Sequence, residues 1–475
     1  MHKKIHRKDF LRTALLANAA LITRPLQAFT GFVKTNSPLS NDNVTYYKKT
    51  DAPFELLRKG FNKRIEKFPL LIALCQNTEG VAEAMKYAIK NNLPVAIKSG
   101  GHCMEGFSCN DGGMVINLSL LNTIQHLDTD TIQLGPGCTL SKLYDELLPK
   151  KKIIPGGSCA GVAIGGLSLG GGYGLMSRKY GLTCDSLLEV TMVDGMGNIV
   201  SSANDKELLW ACKGGGNGNF GVVTEMKFKT HTAPASMQSF RFKTKNVTAA
   251  KATEIFTQWF EKTKSLPDSC FSACLLNGKT VYILLTATEK LSAAVLEFIR
   301  SLSAATEKTT RTPAQPLARA LKTYYGRPGP LNFKNASAGL YKNFEEIAPF
   351  IESVLQKVIS TPGMIYQVNT LGGKIQDAEA ATASSFPHRD NIYFSELQAY
   401  WESPKQGTLL MQRFQEIQAI FNNNGIVAQY RNYPDINFTN WQSGYYGVNY
   451  ERLQAIKSKY DPNNFIRHEQ SITGL

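Results

Sequence analysis

Apolar residues recur along this chain at two different spacings, and the change between them divides the sequence. Between Thr78 and Asn92, Val81, Ala84, Met85 and Ala88 fall three and four apart, the spacing of one helix face, and Asn91-Asn92 supplies the stop. Residues 93–98 then read as a short strand running into Ser99-Gly100-Gly101-His102. Residues 114–117 and 131–134 are two further strands, and 141–148 a helix capped from Thr139. Strand and helix alternate in this way to about residue 230.

From about Ser236 the texture changes. Residues 239–243, 270–275, 281–286, 364–369 and 392–400 read as strands, and 249–262 and 292–303 as helices between them. Mixed strands and helices without glycine clusters predict an antiparallel sheet backed by helices, so the fold class is α+β. A helix is expected over 445–460, before Asp461-Pro462. The expected organisation is a signal-like segment at 1–30, a ligand-binding domain at 31–235, a second domain at 236–429, and a C-terminal segment at 430–475 that returns to the first.

Glycine separates the two halves chemically. One run spans residues 156–174, and a second spans 214–221. Glycine admits positive φ and close backbone approach, so its density beside strands points to a ligand wrapped by main chain rather than to turns alone. Gly216-Asn217-Gly218-Asn219-Phe220-Gly221 has the spacing of a dinucleotide fingerprint, but that fingerprint needs a strand before it and a helix after it. Here the β-branched stretch 222–228 follows, and the Rossmann reading fails on context. No Walker-type lysine follows any of these loops.

Composition adds limits. With 475 residues, 43% hydrophobic and 19% charged, the chain can bury cores for two or three domains. The formal net charge of +15 raises the question of nucleic acid, but part of it lies at the N-terminus in Lys3, Lys4, Arg7, Lys8, Arg12 and Arg24. Removing that segment takes away about five units. The remainder is dispersed, with no arginine-rich helix and no basic strip interleaved with aromatics, so a solvated surface is expected and no nucleic-acid partner. The basic stretch, the apolar run 13–22 and small residues near Ala28 have the order of an export signal, too short to span a bilayer. Arg7-Lys8-Asp9-Phe10-Leu11 has the look of a degraded twin-arginine signal, and export to the periplasm or exterior is expected. The competing reading is an amphipathic N-terminal helix of a cytosolic protein. The nine cysteines form no CxxC pair and no zinc-type cluster, and no metal site is expected.

A set of motifs then occurs in one order. They are Lys98-Ser99-Gly100-Gly101-His102, Pro155-Gly156-Gly157-Ser158-Cys159, the glycine run 165–174, and Arg178-Lys179-Tyr180-Gly181-Leu182-Thr183-Cys184-Asp185. Phe386-Pro387-His388-Arg389, Tyr430-Arg431-Asn432-Tyr433-Pro434-Asp435, Tyr445-Tyr446-Gly447-Val448-Asn449-Tyr450 and Asp461-Pro462-Asn463-Asn464-Phe465 follow. In these the chain resembles the berberine bridge enzyme-like flavoproteins of the vanillyl-alcohol oxidase superfamily, from about Phe68 to Ile472. The resemblance implies a PCMH-type FAD-binding domain of two subdomains, and an FAD held by two covalent bonds: His102 to the 8α-methyl and Cys159 to C6. It implies cofactor contacts from Ser99, Gly100, Gly101, Gly161, Val162, Gly165, Gly166, Gly171, Gly172, Tyr173, Gly221 and Val223, and from Tyr446 and Asn449 in the C-terminal segment.

The chemistry implied is oxidation of an alcohol or hemiacetal, of a carbohydrate or similar small molecule, with hydride passing to flavin N5 and electrons to O2. That reaction needs a base for the hydroxyl proton. The resemblance gives Tyr430 that role, with a pKa lowered by its neighbours, and places Tyr173 near the flavin. By strand alternation Glu396 and Gln398 share a face, as do Gln367 and Asn369. Glu396 stands where relatives carry a catalytic glutamate or a glutamine; it could be a base or could hold Tyr430, against the alternative of an exposed sheet-edge acid. Val162 is at a position where a small residue favours oxidase over dehydrogenase. A dehydrogenase passing electrons to a quinone or other carrier, or a non-catalytic flavin-binding secreted protein, are the alternatives.

Overall fold

The helix Thr78–Lys90 begins where the Asn77 side chain, on extended backbone, accepts the Gly80 N–H, and it stops at Asn91. Its buried face, Val81, Ala84, Met85 and Ala88, packs on a small four-stranded sheet. The structure, a computed structural model, describes residues 40–475. The signal-like segment read at 1–30 lies outside the described residues. The first sheet runs Val44–Tyr47, Leu71–Cys75, Met114–Asn117, Val95–Lys98, with the last three strands parallel and Val44–Tyr47 antiparallel at the edge. A second sheet of five antiparallel strands runs Ile124–His126, Thr131–Leu134, Gly221–Lys229, Leu187–Asp194, Ile199–Ser201.

The third sheet has seven strands, all antiparallel: Lys308–Pro316, Ser236–Lys245, Thr280–Ala287, Cys270–Asn277, Met364–Thr370, Tyr393–Trp401 and Asn332–Tyr341. The architecture is α+β, as the spacing predicts. Alternation decides its two faces. Phe240, Phe242, Ile283, Leu285, Cys274, Leu276, Tyr366, Val368, Leu397 and Ala399 enter one core with helices Ala249–Thr263, Ala293–Ala305, Ile351–Ser360 and Pro404–Asn423. Fully buried Phe256 and Phe260 each contribute about 1.5–3 kcal/mol by leaving water. The residues between these, Arg241, Lys243, Gln367, Glu396 and Gln398 among them, face the other way.

Several elements escape the sequence reading, the strand Leu187–Asp194 and the helices Ile351–Ser360 and Pro404–Asn423 among them. The edge strands Lys308–Pro316 and Asn332–Tyr341 were not expected, the first because its residues are mostly exposed and polar. The expected helix over 445–460 is broken: Trp441–Tyr446 and Tyr450–Tyr460 are separate, because Gly447 takes φ +52° between them. Helix Tyr450–Tyr460 ends against the first domain, where buried Lys457 Nζ donates to Asp461 Oδ2 (2.6 Å), Asn219 O and Ile466 O (both 2.7 Å).

Buried charges tie the parts together. Lys334 bonds Glu105 and, at 2.7 Å, Asp435. Arg389 Nη2 meets Asp185 Oδ1 at 2.6 Å. Arg178 donates to the carbonyls of Cys270 and Leu266 (2.9 Å each) and of Leu371. Such buried pairs stabilise little on balance, but losing one partner strands the other, so they hold the sheet in one position over the glycine loops. Among the described residues no helix is long and apolar enough to cross a membrane.

Candidate active site

Two glycine loops meet at the His102 ring. A Cβ on Gly100 would lie 2.8 Å from Ala163 N and 3.1 Å from Gly161 O, and one on Gly161 would lie 3.0 Å from His102 Nε2. Only glycine allows loops 99–102 and 159–166 to approach this closely. Gly101, at φ +68°, turns the first loop. Ser99 Oγ and Gly165 N both donate to Pro136 O at 3.0 Å, pinning the two loops to a third segment. The His102 ring stacks on Phe61, centroids 4.5 Å apart. Burial lowers its pKa to about 4, so at neutral pH the imidazole is uncharged and carries a free lone pair.

Cys159 lies on the same second loop. It is exposed as a residue, while its thiol sits where burial, and after it the Glu396 carboxylate, hold the pKa above the ordinary thiol value. Val162 N bonds Cys159 O at 3.2 Å, and Ala160 N bonds Tyr325 O at 3.2 Å. Gly166, one helical step on, is exposed and has no atom within 4 Å of where a Cβ would project.

Farther along, Gly171 and Gly172 take φ +111° and +87°. This turns the N–H groups of Gly172 and Tyr173 onto the Tyr430 hydroxyl oxygen, both at 3.1 Å, and Asn432 Nδ2 adds a third donor at 3.0 Å. Three donors on one phenol oxygen favour its anion. Burial works against them and is the larger effect, holding the Tyr430 pKa up at about 12. The lowered pKa implied by the resemblance is therefore not found in this chain; the donors pull in that direction and are outweighed. Tyr430 is packed between Tyr433, stacked at 5.5 Å, and Phe394, edge-on at 5.3 Å.

Glu396 is buried, one strand in from the sheet edge, and not an exposed edge acid. Its carboxylate accepts from Asn335 Nδ2 (3.0 Å) and Asn369 Nδ2 (3.2 Å), and Gln367 Nε2 bonds Asn369 Oδ1 at 2.7 Å. Burial raises the Glu396 pKa, and the bonds from Asn335, Asn369 and Gln398 oppose the rise. Gln398 Oε1 is held by Tyr400 Oη at 2.9 Å. The charge of Glu396 reaches Cys159, Tyr173, Tyr400 and Tyr433. Tyr173 lies edge-on to Phe394 at 5.7 Å, and its hydroxyl is buried without a hydrogen-bond partner.

Thus Glu396 is within electrostatic reach of Cys159, Tyr173 and Tyr433, and Tyr173 and Tyr433 in turn adjoin Tyr430, with His102 against the loop that carries Cys159. The other expected residues are held as follows. Tyr446 is fully buried in a core, its hydroxyl taken by Arg431 Nε (2.9 Å) and Asn219 Nδ2 (3.3 Å). Asn449 bonds Ser385 O at 3.1 Å. Gly221 lies in a strand against Met192, and the Val223 side chain is in the core, leaving only main chain to face outward. The sequence reading also missed side chains. Asn432 bonds Leu167 O (2.9 Å) and accepts from Asn217 (2.9 Å), so the failed dinucleotide motif positions the tyrosine's third donor. Asn335, Tyr400 and Tyr433 were missed as well; Asn335 sits on a strand whose polar pattern hid it.

The donor set suits a flavin: a neutral imidazole and a thiol able to bond carbon, beside loops stripped of side chains and a buried hydroxyl with a hydrogen bond to give. A model described as FAD binding domain matches residues 69–203, and one described as Berberine and berberine like matches 429–473. The uncharacterized FAD-linked oxidoreductase YgaK of Bacillus subtilis (strain 168) is 31% identical over 447 residues, covering 90% of this chain and 96% of that protein. The chain belongs to the berberine bridge enzyme-like FAD-linked oxidoreductases. A chitooligosaccharide oxidase of Gibberella zeae is 28% identical over 482 residues, with 94% of this chain and 97% of that one covered. In fold, the chain is similar to Physcomitrella patens BBE-like 1, with a TM-score of 0.82 at 22% identity, covering 90% and 96% of the two chains. As a berberine bridge enzyme-like protein it is an FAD-linked oxidoreductase.

Proposed function

We propose that this protein is an exported oxidase that carries FAD covalently on His102 and Cys159 and oxidises an alcohol or hemiacetal carbon of a carbohydrate with O2. The observation that carries the reading is the Tyr430 oxygen with three donors aimed at it, beside a Tyr173 that also feels the buried Glu396. The likeness to a chitooligosaccharide oxidase supports sugar as the substrate class. FAD, when bound, supplies the acceptor for two electrons and the carbon-bound hydrogen, which leave on O2 as hydrogen peroxide.

The chain supplies the rest. Substrate C–OH loses its hydroxyl proton to Tyr430 Oη, deprotonated for the task, as the C–O bond becomes C=O. The N–H groups of Gly172 and Tyr173 and the Asn432 amide hold that oxygen in place and stabilise its anionic form. Glu396, fixed by two asparagines, accepts a hydrogen bond from a neighbouring sugar hydroxyl, and Gln398 and Gln367 present amides on either side. His102 and Cys159 keep the cofactor in a cleft left open for a large substrate.

The test is direct. Acid-precipitated protein should stay yellow, and a panel of mono- and oligosaccharides should bleach the flavin and yield peroxide in air. A colourless precipitate sinks the covalent linkages; bleaching that air does not reverse sinks the oxidase.

A further inference from the structure

The face of the seven-stranded sheet that holds Glu396 does not end at Glu396. Following the strand register away from it gives Gln367, then Leu275, Tyr282 and Lys243, each directly opposite the last. Four strand steps of about 4.8 Å make this floor about 19 Å long. It is a polar and aromatic lane rather than an apolar one, and Gln367, Tyr282 and Lys243 are all partly solvent-exposed.

The far end is cationic. Lys243 Nζ lies 5.0 Å from the centre of the Tyr282 ring. Arg241, two residues earlier on the same strand face, has a buried Nε without a hydrogen-bond partner, and no ion pair of Arg241 occurs among the described residues. Lys245 continues the face and is exposed, as is Lys279 in the adjoining turn. The acid Glu307 accepts the Lys245 backbone N–H at 3.0 Å. A guanidinium whose donors are unused is a receptor for a planar anion, since its fork matches a carboxylate. A tyrosine ring beside it is a platform for the apolar face of a sugar.

We infer that this lane binds an acidic oligosaccharide, with uronate carboxylates at Arg241 and Lys243 and the oxidised end at Glu396 and Tyr430. The inference rests on the reading of the site as a sugar oxidase's. It makes a cationic amino-sugar chain a poor ligand. One occupant accounts for the length of the lane, its stacking ring and its charge.

Binding and turnover are measured separately, so that the two readings fail in different ways. Holoenzyme is titrated with tetragalacturonic acid, xylotetraose and a fully deacetylated chitosan tetramer, following flavin absorbance anaerobically and heat by calorimetry. Tetragalacturonic acid should bind about tenfold more tightly than xylotetraose, with the advantage shrinking as salt rises. Arg241→Gln and Lys243→Gln should each cut the ratio of acidic to neutral affinity about tenfold, and Arg241→Lys should restore part of it. Thermal melting of each variant reports whether it is folded. Equal binding of the acidic and neutral tetramers, or a ratio unmoved by folded Arg241→Gln, overturns the inference. Tight, Arg241-dependent binding of the uronate without any flavin bleaching by any sugar would uphold the lane and overturn the oxidase.

Discussion

The glycine loops and the seven-stranded sheet meet at Tyr173, which packs on Phe271 and Phe394, and they place their polar groups by different means. On the loop side the working groups are main chain: Gly171 and Gly172 at positive φ aim two N–H groups at Tyr430, and Gly100 and Gly161 bring two loops into contact. On the sheet side they are side chains, Glu396, Asn335, Asn369, Gln367 and Gln398, spaced by strand register. Backbone donors are as rigid as the turn that holds them and tolerate no Cβ. Side-chain donors can be exchanged within the same frame. The loop side should therefore be intolerant of substitution, and the sheet side should be where substrate preference is adjusted.

The largest expected effect breaks the loop side altogether. His102→Ala combined with Cys159→Ser should leave denatured protein free of flavin, measured by absorbance of the acid precipitate and by intact mass, whereas Cys159→Ser alone should retain it. Next, Tyr430→Phe should lower kcat by about 10²- to 10⁴-fold, the range for loss of a general base. Its pH profile carries a sign. With the phenol held near 12, the anion fraction grows tenfold per pH unit below that value. Log kcat/KM in the native enzyme should accordingly rise with pH across the neutral range, and the slope should vanish in Tyr430→Phe.

Paired glycine substitutions sharpen the contrast further. Gly172→Ala adds a Cβ that collides with Thr183 Oγ1 at φ +87°, and should cost about 1–3 kcal/mol as well as misplacing the Tyr430 donors. Gly166→Ala meets nothing within 4 Å and should leave thermal unfolding unchanged while reducing flavin content. The smallest effect lies on the sheet. Glu396 has a raised folded-state pKa, so its ionised form is disfavoured by folding and its stabilising contribution is lost as pH rises through that pKa. Glu396→Gln should raise Tm at pH 7, by roughly 1 °C per kcal/mol for a chain this long, with the gain fading as pH falls towards the unfolded carboxyl value. Activity should fall in the same variant, the opposite sign to its stability.

Period and composition were enough to find helix Thr78–Lys90, the strands of the central part of the sheet, and the glycine runs, because burial imposes a 3.6 or 2.0 spacing wherever one face meets a core. The same alternation put Glu396 and Gln398 on one face before any pairing was known. What alternation cannot express is which strand lies beside which. The contacts of Asn335 with Glu396, 61 residues apart, and of Asn432 with the loop at Asn217, 215 residues apart, arise from pairing and packing alone. The edge strand Lys308–Pro316 went unread because it buries so little, and Gly447 cut a helix whose polar and apolar pattern ran straight through it. The Tyr430 pKa belongs to the same class: residue type set the phenol's ordinary value, while burial and three donors, all consequences of the tertiary fold, decided where it moved.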